Sequence, residues 1–348
     1  MMTLGRLSEL VSGCLNGGAE IEISNAASIA RATENDITFV TNEKFLEKFI
    51  ESPAAAAVVP VGFEVKNKPT IVVENVEAAF SQIVSHFRPQ SKRARVGISP
   101  RATISPTAII ADDVDVYPGA FIGDGVEIGF GSVIYPNVTI LDNSKIGAHT
   151  QVFPSATIYP DTVIGDRCIV HAGVVLGAYG FGYKTEKGTH KLTAQLGNVV
   201  LENDVEVGAN TTIDRGTYES TIIGEGTKLD DQVMIGHNCR IGKHNLLCSQ
   251  VGIAGSCTTG DRVVMAGQVG IGDHIDIGND VTLIAKAGVM KNIEDGQVLA
   301  GAPAMPVKKF FQLTALFQKL PEFRKQLKRL GSSVEKLEPP VNSNREAA

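Results

Sequence analysis

The sequence of 348 residues contains no tryptophan, and aromatic residues make up only 6% of it. A large globular core normally contains more aromatic volume, so we expect an aliphatic and repetitive core. No run approaches the ~18 apolar residues that a membrane-spanning helix needs. The residues before Cys14 contain no apolar signal segment either, which argues against a lipoprotein cleavage site there.

Paired cysteines and a strong charge of one sign are also missing. The five cysteines form no C-x-x-C pair, which is typical of proteins in a reducing cytoplasm. The formal net charge is −6, which argues against a chain-wide nucleic-acid surface. We therefore expect a cytoplasmic protein with no nucleic-acid partner, whose contact with membranes is at most peripheral.

The dominant feature of the sequence is a repeat of six residues. Every sixth residue from Ile98 to Leu176 is aliphatic, without exception. The period breaks over residues 177–198 and then continues, with four extra residues before Ile223, to Val289. A period of six fits neither a helix nor a long strand, but it suits a short strand followed by a corner, with glycine or a small residue where the backbone turns.

This period resembles that of the hexapeptide-repeat proteins, over about residues 98–292. The resemblance implies a left-handed parallel β-helix with three hexapeptides per coil. The left hand is implied by the family alone, because parallel crossovers are otherwise right-handed. The fold class is therefore mainly β, with a column of isoleucine and valine inside the helix.

The regions outside the repeat differ from it. Residues 1–95 predict a small α/β domain, with strands at 37–41, 56–60 and 70–73 and a helix after Asn75 that ends near Phe87. Residues 96–305 form the predicted β-helix. Residues 306–332 carry two apolar stripes separated by Pro321 and predict C-terminal helices, and 333–348 predict a flexible tail.

Two of the seven histidines are spaced to meet on one side of the β-helix. His237 follows an inward isoleucine, and His274 is 37 residues later, which is two coils of eighteen plus one. Stacked strands are ~4.8 Å apart, so the two side chains are expected to lie roughly 10 Å apart along the axis. A histidine in a β-helix corner is also often a plain surface or interface residue, and spacing alone leaves this alternative open.

Four motifs narrow the family further. They are Ile37–Phe45, Thr212–Gly216, Ile235–Asn238 and Asp273–His274, in this order. Together they resemble the UDP-3-O-(3-hydroxyacyl)glucosamine N-acyltransferases of lipid A synthesis, over about 330 residues. Two positions depart from that pattern: Asp273 replaces a glycine, and Phe45 an aromatic residue that is often tyrosine.

The resemblance implies transfer of an (R)-3-hydroxyacyl group from the thioester of acyl carrier protein to the 2-amine of a UDP-3-O-acylglucosamine. The amine must lose a proton before it attacks, and neutral imidazole suits this task. His237 is therefore the expected general base, with His274 and Asn238 as contacts to the sugar nucleotide. A backbone N–H near Gly255 is a candidate donor to the oxyanion. No metal and no cofactor beyond the carrier-bound thioester is expected.

In the N-terminal domain the same resemblance implies a uridine site. Phe39 and Phe45 are expected to stack on the base, and the Asn42 amide to hydrogen-bond its edge. The alternative is that both phenylalanines are core residues of a small domain.

The remaining expectations concern the acyl chain, the carrier protein and the assembly. Gly288 and Met290 flank the inward Val289, so both are expected to face outward in a groove for the acyl chain. Lys291, Lys308 and Lys309 begin a basic segment that is a candidate dock for acidic acyl carrier protein. A solvated helix face or a membrane-surface contact explains the same charges. The family resemblance also implies a homotrimer.

Three other functions fit parts of the pattern. A γ-class carbonic anhydrase needs three histidines on one zinc, and a third partner for His237 and His244 is missing. An O-acyltransferase that starts the same pathway lacks the separate N-terminal domain. A non-catalytic β-helix scaffold gains nothing from the 177–198 insertion.

Overall fold

The structure is a computed structural model that describes residues 1–63, 65–89, 95–301 and 307–337, with the side chains of 311–334 in the last segment. It divides into two compact units, Met1–Ala94 and Arg95–Ala348.

The first unit is a five-stranded sheet packed against helices. Its strand order is Cys14–Asn16, Thr70–Val73, Ala56–Pro60, Asp36–Phe39 and Asn25–Ala26. The first pair is antiparallel and the other three pairs are parallel. Met2–Thr3 and Glu22–Ile23 form a separate antiparallel pair. The helices are Leu4–Leu10, Leu46–Glu51 and Val76–Phe87, and a 3-10 turn spans Glu43–Phe45.

The sequence predicted much of this unit. The Ala56–Pro60 and Thr70–Val73 strands have the predicted bounds, and the predicted 37–41 strand is Asp36–Phe39. Asn75 begins the last helix as predicted, because its Oδ1 accepts the Ala78 N–H at 3.0 Å. The short helix Leu4–Leu10 and the edge strands were not predicted, since they are too brief for a periodic signal.

The second unit is a parallel β-helix with three faces, which confirms the predicted fold class. Its three sheets contain ten, ten and nine strands. The first sheet consists of Asp115–Val116, Val133–Ile134, Gln151–Val152, Ile169–Val170, Glu206–Val207, Lys228–Leu229, Leu246–Leu247, Val264–Met265, Thr282–Leu283 and Val298–Leu299. The second consists of Thr103–Ile104, Phe121–Ile122, Thr139–Ile140, Thr157–Ile158, Val175–Ala178, Thr212–Asp214, Met234–Ile235, Gly252–Ile253, Gly270–Ile271 and Gly288–Val289. The third consists of Ile109–Ile110, Glu127–Ile128, Lys145–Ile146, Val163–Ile164, Val199–Leu201, Thr221–Ile223, Arg240–Ile241, Thr258–Thr259 and Asp276–Ile277.

The predicted inward residues form the core of this helix. From Val116 to Val289 all of them are buried. Thr259, the one exception to the aliphatic rule, accepts hydrogen bonds from the Gly242 N–H and the buried Asn245 amide. Ile98 is exposed and forms only an isolated bridge, because it lies at the open end of the stack.

The corners differ from the prediction in one respect. The left-handed backbone conformation occurs mostly three residues after the inward position, at residues such as Asn238 and His274. The glycine that directly follows the inward residue is needed for close approach instead. A Cβ on Gly236 would lie 2.7 Å from the Gly255 nitrogen of the next coil.

The insertion between the repeats is an antiparallel hairpin, Tyr183–Glu186 with Thr189–Leu192. Its strands are exposed. The C-terminal segment is one helix, Val307–Leu337, which runs through Pro321. This corrects the prediction of separate helices that end at 332, because Pro321 interrupts the apolar stripe without ending the helix.

Candidate active site

A cavity of about 510 Å³ lies against the second sheet of the β-helix, where both predicted histidines meet. It is lined by Phe181, Asp214, Met234, Gly236, His237, Gly252, Ile253, Ala254, Gly255, Ile271, Asp273 and His274. These residues belong to successive coils, and stacking in register brings them together from distant parts of the sequence. The structure thus places His237 and His274 in one site.

The His237 imidazole lies between two glycines. A Cβ on Gly180, at the start of the insertion, would come within 2.6 Å of the His237 Cβ. A Cβ on Gly255 would come within 2.7 Å of the His237 Nε2. Burial lowers the pKa of His237, and the charge of His274 lowers it further. The lowered pKa favours the neutral ring, which is the form that accepts a proton.

Asn238 holds this ring through its side-chain amide. Its Oδ1 accepts the Thr217 N–H at 2.7 Å, which fixes the direction of the amide. Its Nδ2 donates to Thr217 Oγ1 at 3.1 Å and faces His237 Nδ1 at 3.0 Å. Because the amide makes all these bonds inside the protein, the geometry favours a positioning role for Asn238 over the predicted substrate contact.

His274 and its neighbour form the open rim of the cavity. Both side chains are exposed, and His274 Nδ1 lies 3.2 Å from Asp273 Oδ2. The His274 N–H donates to the Gly255 carbonyl at 3.1 Å, which fixes the corner. This exposed imidazole is placed to contact a ligand that enters the cavity.

Asp214 is a cavity residue that the sequence analysis left without a role. Only 5% of its surface is exposed, and burial raises the pKa of its carboxyl group to about 6. The strand Thr212–Asp214 continues beyond its inward residue, and a register shift opposite it brings Ala178 beside Asp214. Its place in the Thr212–Gly216 motif was the available signal, but spacing alone could not show that its side chain is buried.

A strip without side chains leads away from the cavity. Gly252, Gly270 and Gly288 are paired in register on three successive coils, directly after Met234. A Cβ on any of these glycines would meet no atom within 4 Å. Gly288 and Met290 face outward as predicted, and Met290 is 87% exposed.

The N-terminal unit has a pocket of its own, of about 530 Å³. Phe39 and Phe45 both line it, so the structure brings the two predicted stacking residues together. Phe39 also packs on Phe80, with ring centroids 4.6 Å apart, so it is partly a core residue as well. Asn42 begins the turn that carries Phe45, and its Oδ1 accepts the Lys44 N–H at 3.1 Å.

The predicted carrier dock is only partly described. Lys291 is exposed on the last coils of the β-helix. The backbones of Lys308 and Lys309 belong to the C-terminal helix, but their side chains lie outside the described residues.

The described parts of the chain were also compared with what a metal site and a membrane-spanning helix require. No three histidine, cysteine or acidic side chains there come close enough together to hold a metal ion. No helix in those parts is both long enough and apolar enough to cross a membrane.

Comparison with known proteins supports the family that the four motifs indicate. The family model for UDP-3-O-(3-hydroxymyristoyl) glucosamine N-acyltransferase matches residues 20–86. The model for the bacterial transferase hexapeptide matches 119–154, 143–178 and 220–255. A UDP-3-O-acylglucosamine N-acyltransferase of Rhodopirellula baltica is 57% identical over 91% of this chain and 84% of its own length. One of Porphyromonas gingivalis is 43% identical over 99% of both chains. Among solved structures, LpxA of Acinetobacter baumannii is 25% identical, with 59% of this chain and 71% of that chain covered and a TM-score of 0.44.

The repeat, its stacked coils and the hexapeptide match define a transferase of the hexapeptide-repeat class. The 57% and 43% identities to the two N-acyltransferases, over most of each chain, then identify the branch. The chain belongs to the family of UDP-3-O-acylglucosamine N-acyltransferases, and it is an acyltransferase.

Proposed function

We propose that this enzyme transfers an (R)-3-hydroxyacyl group from acyl carrier protein to the 2-amine of a UDP-3-O-acylglucosamine. The observation that carries the proposal is the neutral His237 in a cavity that opens onto the glycine strip. The names of the relatives supply the acceptor. The donor thioester is already activated, so the reaction needs a base and an oxyanion donor but no covalent acyl-enzyme.

His237 removes a proton from the acceptor nitrogen. In the resting arrangement the Asn238 amide donates to Nδ1, so the neutral ring carries its proton on Nε2. Acceptance at Nε2 therefore requires the other tautomer, with the ring proton on Nδ1 and the hydrogen bond from the Asn238 amide to Nδ1 broken when the acceptor binds. The lowered pKa keeps the ring free of a second proton until that point.

The Gly255 N–H is the donor to the oxyanion. In the part of the chain that the structure describes, this N–H has no acceptor, although both neighbouring N–H groups are bonded. The equivalent N–H of Lys243, at a corner of the third sheet, donates to Asp261 Oδ1 at 2.8 Å. A free N–H beside the imidazole is available to the oxygen of the tetrahedral intermediate.

The acyl chain lies along the strip of Gly252, Gly270 and Gly288, and Met290 borders its far end. From Gly252 to Gly288 the strip spans two strand spacings, roughly 10 Å. The uridine binds in the N-terminal pocket between Phe39 and Phe45, with Asn42 at the edge of the base.

The proposal also includes a docking surface for the carrier protein and an oligomeric state. The C-terminal helix is the dock for acidic acyl carrier protein, since residues 307–330 carry seven basic side chains and one acidic one. The enzyme acts as a homotrimer in the cytoplasm, where the carrier-bound donor is made.

Mass spectrometry tests the proposal directly. Purified enzyme is incubated with hydroxyacyl carrier protein and UDP-3-O-acylglucosamine, and the product is expected to gain one hydroxyacyl group as an amide. His237→Ala should lower kcat by roughly 10²–10⁴. His244→Ala is the matched control, because it also removes an imidazole from a corner of the β-helix but lies outside the cavity. A His237→Ala enzyme that keeps more than a tenth of wild-type turnover excludes the base assignment.

A further inference from the structure

Asp214 is the buried ionisable group of the cavity that the proposed reaction leaves unused. Its residue is 95% buried, since only 5% of its surface is exposed, and it lines the cavity beside His237. Across the described segments, its carboxylate has no hydrogen-bond or ion-pair partner. An unpaired carboxylate in such a place is costly for the folded protein unless a ligand completes its contacts.

The cation that follows Asp214 in the sequence does not neutralise it. Arg215 is the next residue in the sequence and is also buried. Its Nε donates to the Gly197 carbonyl at 2.6 Å. Its terminal nitrogen lies 3.8 Å from Asp161 Oδ2, and its guanidinium lies over the Tyr179 ring. Arg215 therefore faces the insertion, and the Asp214 carboxylate remains open to a positive group within the cavity.

The register of the coils sets where that group must lie. The strand of Asp214 pairs with Met234–Ile235, so Asp214 lies beside Gly236, the residue before His237. Asp214 and His237 both line the cavity. A ligand nitrogen held between them contacts both groups.

We propose that Asp214 binds the ammonium group of the acceptor and takes the first of the two protons that this nitrogen must lose. This inference rests on the proposed function. The ammonium gives one proton to the carboxylate, and the free amine attacks the thioester carbonyl. The C–N bond forms, the second proton passes through His237 to the departing thiolate, and the C–S bond breaks. Asp214 then releases its proton to water, so one proton leaves with the thiol and one enters solvent.

Two features suit Asp214 to the first step. A carboxylate accepts a proton without a tautomer exchange, whereas the His237 Nδ1 is engaged by Asn238 in the resting state. Burial raises the pKa of Asp214 to about 6, so the carboxyl group exchanges protons close to neutral pH. The other ionisable groups that line the cavity are His237, His274 and the exposed Asp273.

Calorimetric binding of two ligands tests the inference. One is UDP-3-O-acylglucosamine, and the other carries a hydroxyl group in place of the 2-amine. The wild type should bind the amine at least about tenfold more tightly, because a charge-assisted hydrogen bond is worth that much. In Asp214→Asn the preference should fall to about one, while affinity for the hydroxyl analogue is kept. Asp112→Asn, which removes an exposed carboxylate far from the cavity, should keep the wild-type preference.

The possible results distinguish a failure of the Asp214 inference from a failure of the proposed function. A wild type without preference for the amine overturns the inference even if Asp214→Asn fails to fold, and so does an Asp214→Asn protein that keeps the preference. If the wild type binds neither ligand and forms no amide product, the proposed function itself fails. Wild-type turnover together with an unchanged preference in the variant removes only the role of Asp214.

Discussion

At the residue scale, the site depends on side chains whose chemistry is set by their neighbours on adjacent coils. His237 is kept neutral by burial and held by Asn238, and its ring has room only because Gly180 and Gly255 lack side chains. The same burial that favours a neutral imidazole raises the pKa of Asp214. We therefore expect an added methyl group in this cavity to change kcat, and a removed charge to change the stability of the protein.

A methyl group at Gly255 should displace the imidazole. The new Cβ would lie 2.7 Å from His237 Nε2, which is too close for the ring to stay in place. We expect Gly255→Ala to lower kcat by about 10²-fold with an unchanged fold, since a misplacement of 1 Å has that cost. Gly267→Ala is the control, because it occupies the same corner position on the first sheet and its Cβ would meet only the Ser249 carbonyl, at 3.5 Å. Equal rates for the two variants would refute this packing argument.

Removal of the Asp214 charge should stabilise the unliganded protein above pH 6. The pKa of this carboxyl group is about 6 in the folded state, against ~3.9 in an unfolded chain, so the native state binds the proton more tightly. The ionised form then costs at most about 3 kcal/mol above pH 6, and the cost disappears as the pH falls towards 4. Thermal unfolding of Asp214→Asn should show a higher Tm than the wild type at pH 8 and little difference near pH 4. A lower Tm at pH 8 would mean that an ion pair stabilises this carboxylate.

At the scale of the secondary-structure element, the β-helix face and the C-terminal helix each present a surface to a long partner. The glycine strip is smooth because three consecutive outward positions of the second sheet lack side chains. The helix Val307–Leu337 instead exposes apolar and basic side chains together.

A side chain in the strip should shorten the preferred acyl chain. Gly288→Met fills a position that faces open space, so it blocks the strip without disturbing the core. We expect kcat/KM to fall on longer donors and to be kept on donors a few carbons shorter, with each excluded CH₂ worth up to about 0.8 kcal/mol. The measurement is a series of hydroxyacyl carrier proteins of different length. Thr282→Met changes an outward position of the first sheet and should leave the chain-length profile unchanged. An unchanged profile in Gly288→Met would mean that the acyl chain lies elsewhere.

Salt should weaken the use of the carrier-bound donor. Charge attraction between the basic helix and an acidic carrier protein is screened at high ionic strength, so the KM for the donor should rise. Arg324→Gln with Lys328→Gln should reduce this salt dependence, whereas Lys184→Gln on the insertion hairpin should not. Binding of the wild type to anionic vesicles through the same residues would instead indicate a membrane-surface role.

At the scale of the whole molecule, the single chain leaves much apolar surface uncovered. The C-terminal helix exposes Phe311, Leu316, Phe317, Leu320, Phe323, Leu327 and Leu330 along most of its length. A helix this long with an uncovered apolar stripe is stabilised mainly by packing against other helices. In the proposed homotrimer, further copies of the chain would provide such partners.

Light scattering should therefore give a trimer of 36.9 kDa chains at micromolar concentration. Phe317→Ser with Leu320→Ser should weaken the association, because both exposed side chains lose their apolar contact with the neighbouring copies. A wild-type protein that scatters as a monomer would contradict the homotrimer.

The fold of the β-helix could be predicted from the sequence, because the period of six is local and each inward residue must be buried for the coils to stack. The sequence also predicted the pairing of His237 with His274, since eighteen residues per coil convert spacing into position. Similarly short-range patterns predicted that Gly288 and Met290 face outward and that a helix follows Asn75.

The environment of each site residue, in contrast, could be read only from the three-dimensional arrangement of the coils. The Gly255 N–H, which has no acceptor among the described residues, the internal bonds of Asn238 and the burial of Asp214 depend on atoms from neighbouring coils and from the insertion, which no periodic pattern specifies. The continuity of the C-terminal helix also became clear only in the structure, because the helix runs through Pro321 instead of ending there. Hydrophobic periodicity thus fixes which side chains point inward, whereas polar contacts and pKa values depend on three-dimensional neighbours that lie far apart in the sequence.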